Sequence, residues 1–132
     1  MCGGFLVDPD HVVTAAHCIF DGESKLRKID ATEVYLGVHD LGGLGDAHKV
    51  RKFYYPTNYK QYDLYNDIAV LELQKPVNFS SRLFPVCLPS SDEEPYGILN
   101  VAGFGRLGPN SSPSRTLMHV QVEYIPSKFR AQ

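Results

Sequence analysis

The segment Val12-Val13-Thr14-Ala15-Ala16-His17-Cys18 runs from a strand pattern into small residues, then a histidine, then a cysteine. An imidazole is the side chain best matched to taking and returning a proton near neutral pH, provided its nitrogen is held within hydrogen-bond reach of the reacting group. If Cys18 pairs with Cys2, the bond closes a short loop, stabilises the fold by roughly 3 kcal/mol on a chain-entropy estimate, and pins the backbone beside His17. A second segment, Tyr65-Asn66-Asp67-Ile68-Ala69-Val70-Leu71, sets a carboxylate at the mouth of an otherwise continuous apolar run. That placement predicts a partly buried Asp67. Such a carboxylate needs a partner, and the ring N–H of a histidine is a good one.

Short apolar runs separated by Gly, Pro, Asn and Asp must position these two residues, and that is a β pattern. Strands are predicted over Gly4–Val7, Val12–Thr14, Glu33–Val38, Lys49–Tyr55, Ile68–Leu73, Ile98–Phe104 and Leu117–Ile125. The last alternates cleanly, with Met118, Val120, Val122 and Tyr124 on one face and His119, Gln121 and Glu123 on the other. Helix is confined to one turn around Ala15–Cys18. Phe84–Gly97 reads as a linker, with three prolines and an acidic run at Asp92–Glu94. The expected division is therefore a first unit over 1–83, a linker over 84–97, and a two-strand start of something larger over 98–132. Gly42–Gly45 and Gly108–Ser114 read as flexible surface loops.

Composition limits what this chemistry can serve. The chain has 132 residues and 13 basic against 15 acidic side chains, a formal net charge of -2, which leaves no basic excess for nucleic acid. The basic clusters Lys25–Lys28 and Lys49–Lys52 read as solvated surface, with an anion-binding role as the sharper alternative. No apolar run approaches the roughly 18 to 20 residues a membrane helix needs, so no membrane partner is expected and the chain should be soluble. Three cysteines allow one pair with one left over, or three free thiols, and no spacing favours zinc. Met1 is followed directly by Cys2, with no signal-peptide pattern. The triplets Asn78-Phe79-Ser80 and Asn110-Ser111-Ser112 nevertheless fit the N-glycosylation acceptor pattern of the secretory route, Pro113 weakening the second.

Taken together, these residues resemble the trypsin/chymotrypsin-like serine proteases. Cys2-Gly3-Gly4-Phe5-Leu6-Val7 with Val13-Thr14-Ala15-Ala16-His17-Cys18 is similar to the family's histidine motif, and Asn66-Asp67-Ile68-Ala69-Val70-Leu71 to its aspartate motif. Leu36-Gly37 with His39-Asp40, Tyr55-Pro56 with Tyr59, Pro85-Val86-Cys87-Leu88-Pro89 and Val101-Ala102-Gly103-Phe104-Gly105 follow in the family's order. Phe104 stands where the family usually has Trp.

The resemblance implies an all-β fold: an antiparallel six-stranded β-barrel, incomplete at its N-terminus, plus the first strands of a second barrel. It implies His17 as general base, Asp67 as the residue orienting its imidazole, and a Cys2–Cys18 disulfide. Cys87 matches the cysteine that bridges to a light chain or pro-segment in multidomain members. Protein or peptide substrates and an extracellular parent protein follow from the same likeness. No cofactor is implied. No metal is expected either: some members bind calcium in the loop that here carries His39, Asp40, Asp46 and His48, but they use glutamates, and Val38 stands where the first would fall. The family's Gly-Asp-Ser-Gly-Gly motif does not occur in the sequence, and Ser111, Ser112 and Ser114 lie in a Pro-rich loop unlike it. The expectation is a fragment or short form of a secreted serine endopeptidase, inactive alone. The rival is a non-catalytic homologue acting as a protein-binding module.

Overall fold

Seven strands form in the computed structural model, which describes residues 1–62, 65–90, 93–126 and 128. They are β1 (Phe5–Asp8), β2 (His11–Thr14), β3 (Glu33–Val34), β4 (His48–Tyr54), β5 (Ala69–Leu73), β6 (Ile98–Gly103) and β7 (Met118–Glu123). Two short 3-10 turns, Ala16–Ile19 and Ile29–Ala31, lie between β2 and β3. The class is all-β and every strand pairing is antiparallel, as the alternation of short apolar runs and turn residues predicts. The chain divides into two compact units, Met1–Val38 with Leu44–Cys87, and His39–Gly43 with Leu88–Gln132.

In the first unit the sheet order is β1-β2-β5-β4-β3, five strands among the described residues against the six of the expected barrel. β5 is central because its run of Ala69, Leu71 and Leu73 can be buried on one face while Val70 and Glu72 take the other. Those three side chains join Leu6, Val12, Ala16, Ile19, Val50 and Phe53 in the buried core. Val50 and Phe53 are three residues apart, which strict alternation would forbid. A bulge resolves this: Val50 pairs Leu73 while Lys52 pairs Glu72, so Arg51 is the extra residue. Arg51 and Tyr54 then both donate to the buried carboxylate of Glu72, the compensation such a group requires.

Two local features tie β1 to β2. Asp8 Oδ1 accepts the N–H groups of Asp10 at 3.0 Å and His11 at 2.8 Å, closing the hairpin turn. Gly4 lies so near β2 that a Cβ there would sit 2.7 Å from the Val13 carbonyl oxygen. β1 ends one side of the sheet, yet its edge is not wholly bare. The Leu6 carbonyl accepts the Val86 N–H at 2.8 Å, so part of the Pro-rich stretch runs along it. The predicted Glu33–Val38 strand stops at Val34, and Gly37 takes a φ of 63° that ends any extended run.

In the second unit β6 and β7 pair over six residues, from Ile98 opposite Glu123 to Gly103 opposite Met118. Residues 39–43 belong with them. Leu41 N–H donates to the Arg115 carbonyl and Leu117 N–H to the His39 carbonyl, while Asp40 Oδ1 accepts from Gly42 N–H at 2.7 Å and Arg115 Nε at 2.9 Å. The stretch that begins as a flexible Gly loop in the sequence is thus held at its start by one carboxylate. The register puts Leu99 and Val101 on the same face as Met118, Val120 and Val122. Val101 is 50% exposed and Val120 57%, an apolar stripe no two-stranded sheet can cover by itself.

Two outcomes follow for the 132-residue chain. Gly4→Ala is expected to cost about 1 to 3 kcal/mol in urea unfolding, because the new methyl meets a backbone oxygen, whereas Gly3→Ala, with nothing within 4 Å, changes stability by less than about 0.5 kcal/mol. Sedimentation velocity should show concentration-dependent self-association that the double substitution Val101→Lys, Val120→Lys reduces at least several-fold.

Candidate active site

His17 sits in the 3-10 turn that leaves β2, and that turn is fastened from several sides. Ala16 and Ile19 are buried in the core, which leaves His17 between them facing outward. Cys18 N–H donates to the Ala15 carbonyl at 3.0 Å, closing the turn. Cys2 and Cys18 form a disulfide, with 6.1 Å between their Cα atoms. Thr14 Oγ1 donates to the Gly3 carbonyl at 2.8 Å, and Arg27 Nε to the Cys18 carbonyl at 3.1 Å. The backbone on both sides of the imidazole is therefore tied down by covalent and hydrogen bonds.

Asp67 comes from the other end of the sheet's chain path, two residues before β5 begins. Its two oxygens are both committed to one residue. Oδ1 accepts the His17 backbone N–H at 2.8 Å, and Oδ2 lies 2.7 Å from His17 Nδ1. The His17 ring bond, aided by its backbone N–H, holds the Asp67 carboxyl below the usual aspartate range and outweighs the opposing effect of burial. An ionised carboxylate only accepts, so the Nδ1 proton must be on the ring, and the neutral imidazole then carries its lone pair on Nε2. Among the described residues nothing hydrogen-bonds to Nε2. The imidazole is 58% exposed and the Asp67 side chain 32%, so the carboxylate is partly covered while the ring faces outward. The strand itself starts only at Ala69, and Ile68 is exposed. Chemically, this is a base whose tautomer and orientation are set by a carboxylate and whose free nitrogen faces solvent.

A match to the family described as Trypsin spans residues 1–132. The chain belongs to the trypsin family. It is also similar to the clotting factor G beta subunit of Tachypleus tridentatus, 27% identical over an alignment 132 positions long that covers 97% of this chain and 42% of that protein. The chain thus spans less than half the length of that relative.

In this trypsin-family chain the other marked residues separate clearly. Cys87 is a free, exposed thiol. Asn78 and Asn110 are exposed. Ser114 is buried and donates to the Thr116 carbonyl, and Ser111 Oγ donates to the Gly108 carbonyl while accepting its N–H. The basic clusters are largely answered from within: Lys25 pairs Glu23, Lys49 pairs Glu33, Arg51 pairs Glu72, and Lys52 lies over the Tyr54 ring. Asp8, Asp10 and His11 come together in the first unit, as does His17 with the disulfide sulfurs. Sulfurs already joined in a disulfide offer no thiolate to a metal. Two features escape a reading by motif. One is the buried Glu72 with its two donors, the other the left-handed backbone of Asn66, at φ 61°. An Asn in the turn three residues before β5 was the available signal for the second.

The lowered Asp67 value fixes a pH window. An unfolded chain takes up the proton first, so the bond's contribution is complete above the ordinary aspartate value of about 3.9 and disappears as pH falls through the lower folded value. NMR titration of the Asp67 carboxyl carbon should give a midpoint below that of an exposed aspartate, and Asp67→Asn should free the His17 ring proton to exchange at all pH values.

Proposed function

We propose that His17 and Asp67 are the general base and the orienting carboxylate of a secreted trypsin-like serine endopeptidase. The observation that carries this reading is the double acceptance by Asp67 of the His17 N–H and Nδ1–H, with Nε2 left open. In the reaction Nε2 removes the proton from a serine hydroxyl as that oxygen attacks the scissile carbonyl, and then returns it to the leaving amine. Asp67 keeps the ring in the productive tautomer and stabilises the imidazolium that forms. The nucleophile, the oxyanion donors and the specificity pocket are not supplied by these 132 residues, whose sequence holds no Gly-Asp-Ser-Gly-Gly motif. The five-stranded unit is read as the first barrel of the fold and β6–β7 as the start of the second, with 84–97 as the linker. Taken by itself, this chain hydrolyses no peptide bond.

The rest of the reading concerns the setting. The Cys2–Cys18 bond supports an oxidising compartment, and Asn78 and Asn110, both exposed, would carry glycans there. Cys87, free and exposed, is the residue that would bridge to a light chain or pro-segment. Substrates are proteins or peptides. A non-catalytic protein-binding module is the second reading, favoured by the uncovered apolar face of β6 and β7.

A serine-directed fluorophosphonate probe applied to the natural protein that contains these residues separates the two. Labelling that is lost in His17→Ala, with Asp67→Asn lowering kcat by about 10⁴-fold, is the expected result. An unlabelled natural protein that still binds its partner would sink the enzyme reading.

A further inference from the structure

Asp67 can reach both donors of His17 only if the chain arrives from the right direction, and the residue that sets this direction is Asn66. Its φ of 61° lies in the left-handed region, which most side chains avoid because Cβ crowds the carbonyl oxygen, and which Asn and Gly enter most readily. The next peptide is also fixed. Ile68 N–H donates to the Asn66 carbonyl at 2.9 Å, a three-residue turn centred on Asp67. A left-handed residue followed by this tight turn reverses the chain just before β5 enters the core at Ala69. The carboxylate at the tip of the turn then lies against the His17 turn, 50 residues earlier in the chain. Asn66 itself is exposed, so its place cannot be explained by packing.

We propose that Asn66 is a positioning residue, whose left-handed backbone rather than its amide side chain aims Asp67 at His17. The proposal rests on the reading of Asp67 as the orienting carboxylate, but its test reads geometry and not activity.

Two substitutions separate backbone from side chain. Asn66→Gly removes the amide and keeps the left-handed region accessible; Asn66→Ala removes the amide and makes that region costly. The measurement is amide hydrogen exchange of the 132-residue chain, comparing His17 N–H, which donates to the Asp67 carboxylate, with Cys18 N–H, which donates within its own turn to Ala15. Asn66→Ala should speed His17 exchange roughly fivefold or more while Cys18 is unchanged, and Asn66→Gly should restore protection. The Asp67 carboxyl titration should move upward in Asn66→Ala and not in Asn66→Gly. Equal loss in both variants would assign the role to the side chain and overturn the proposal, as would unchanged His17 exchange in Asn66→Ala. Faster exchange at His17 and Cys18 together would show loosening of the whole turn and overturn it equally. None of these results bears on whether His17 is catalytic, which the probe experiment decides.

Discussion

A single carboxylate joins the two halves of the first unit's chemistry. Asp67 accepts two hydrogen bonds from His17, one from the backbone and one from the ring, and each does something different. The backbone bond locates the carboxylate relative to the 3-10 turn, and the ring bond locates the imidazole relative to the carboxylate. Together they leave the side chain little freedom to rotate, which a lone side-chain pair on the surface would retain. The depressed Asp67 titration is the electrostatic face of the same geometry, since the two N–H donors favour the ionised form.

The surrounding structure reads as the means of holding those two ends in place. On the His17 side, Ala16 and Ile19 are sunk in the core, and the Cys2–Cys18 bond and the Thr14–Gly3 hydrogen bond hold the strand ends beside them. On the Asp67 side, β5 is the central strand of the sheet, gripped by β2 and β4, so the residue two places before it inherits a rigid base. β2 and β5 are direct neighbours, with Thr14 opposite Ala69. The pairing brings their ends together, and the turns that leave them complete the approach. Dense packing beneath the site and open solvent above it give a dyad that is rigid and accessible at once.

The β6–β7 unit shows the opposite balance. Its ladder is regular and its register supports cross-strand apolar pairs, but the stripe through Val101 and Val120 stays in water. Backbone pairing alone sets the shape there, with little apolar burial behind it. The docking of 39–43 through Asp40 and Arg115 adds hydrogen bonds at the far end of the ladder without covering that stripe.

Local pattern made much of this legible. The β class follows from turn residues recurring between short apolar runs, and six of the seven predicted strands lie within two residues of those formed at either end, as with Ile98–Phe104 against β6 and Leu117–Ile125 against β7. His17 and Asp67 are legible because an imidazole beside a cysteine that can pin it, and an acid at the head of an apolar run that needs a partner, are read from side-chain type and order. Tertiary structure decided the rest. The bulge at Arg51, which lets Val50 and Phe53 share a face, depends on what β5 presents opposite and leaves no periodic mark. The pull of Val86 onto Leu6 and the docking of Asp40 join residues far apart in the chain. The sequence by itself determined which side chains could do chemistry and which runs had to be strands, since those depend on side-chain type and period. Only the folded chain decided that the two would meet at 2.7 Å, because that distance is set by strand pairing and by one left-handed residue rather than by spacing.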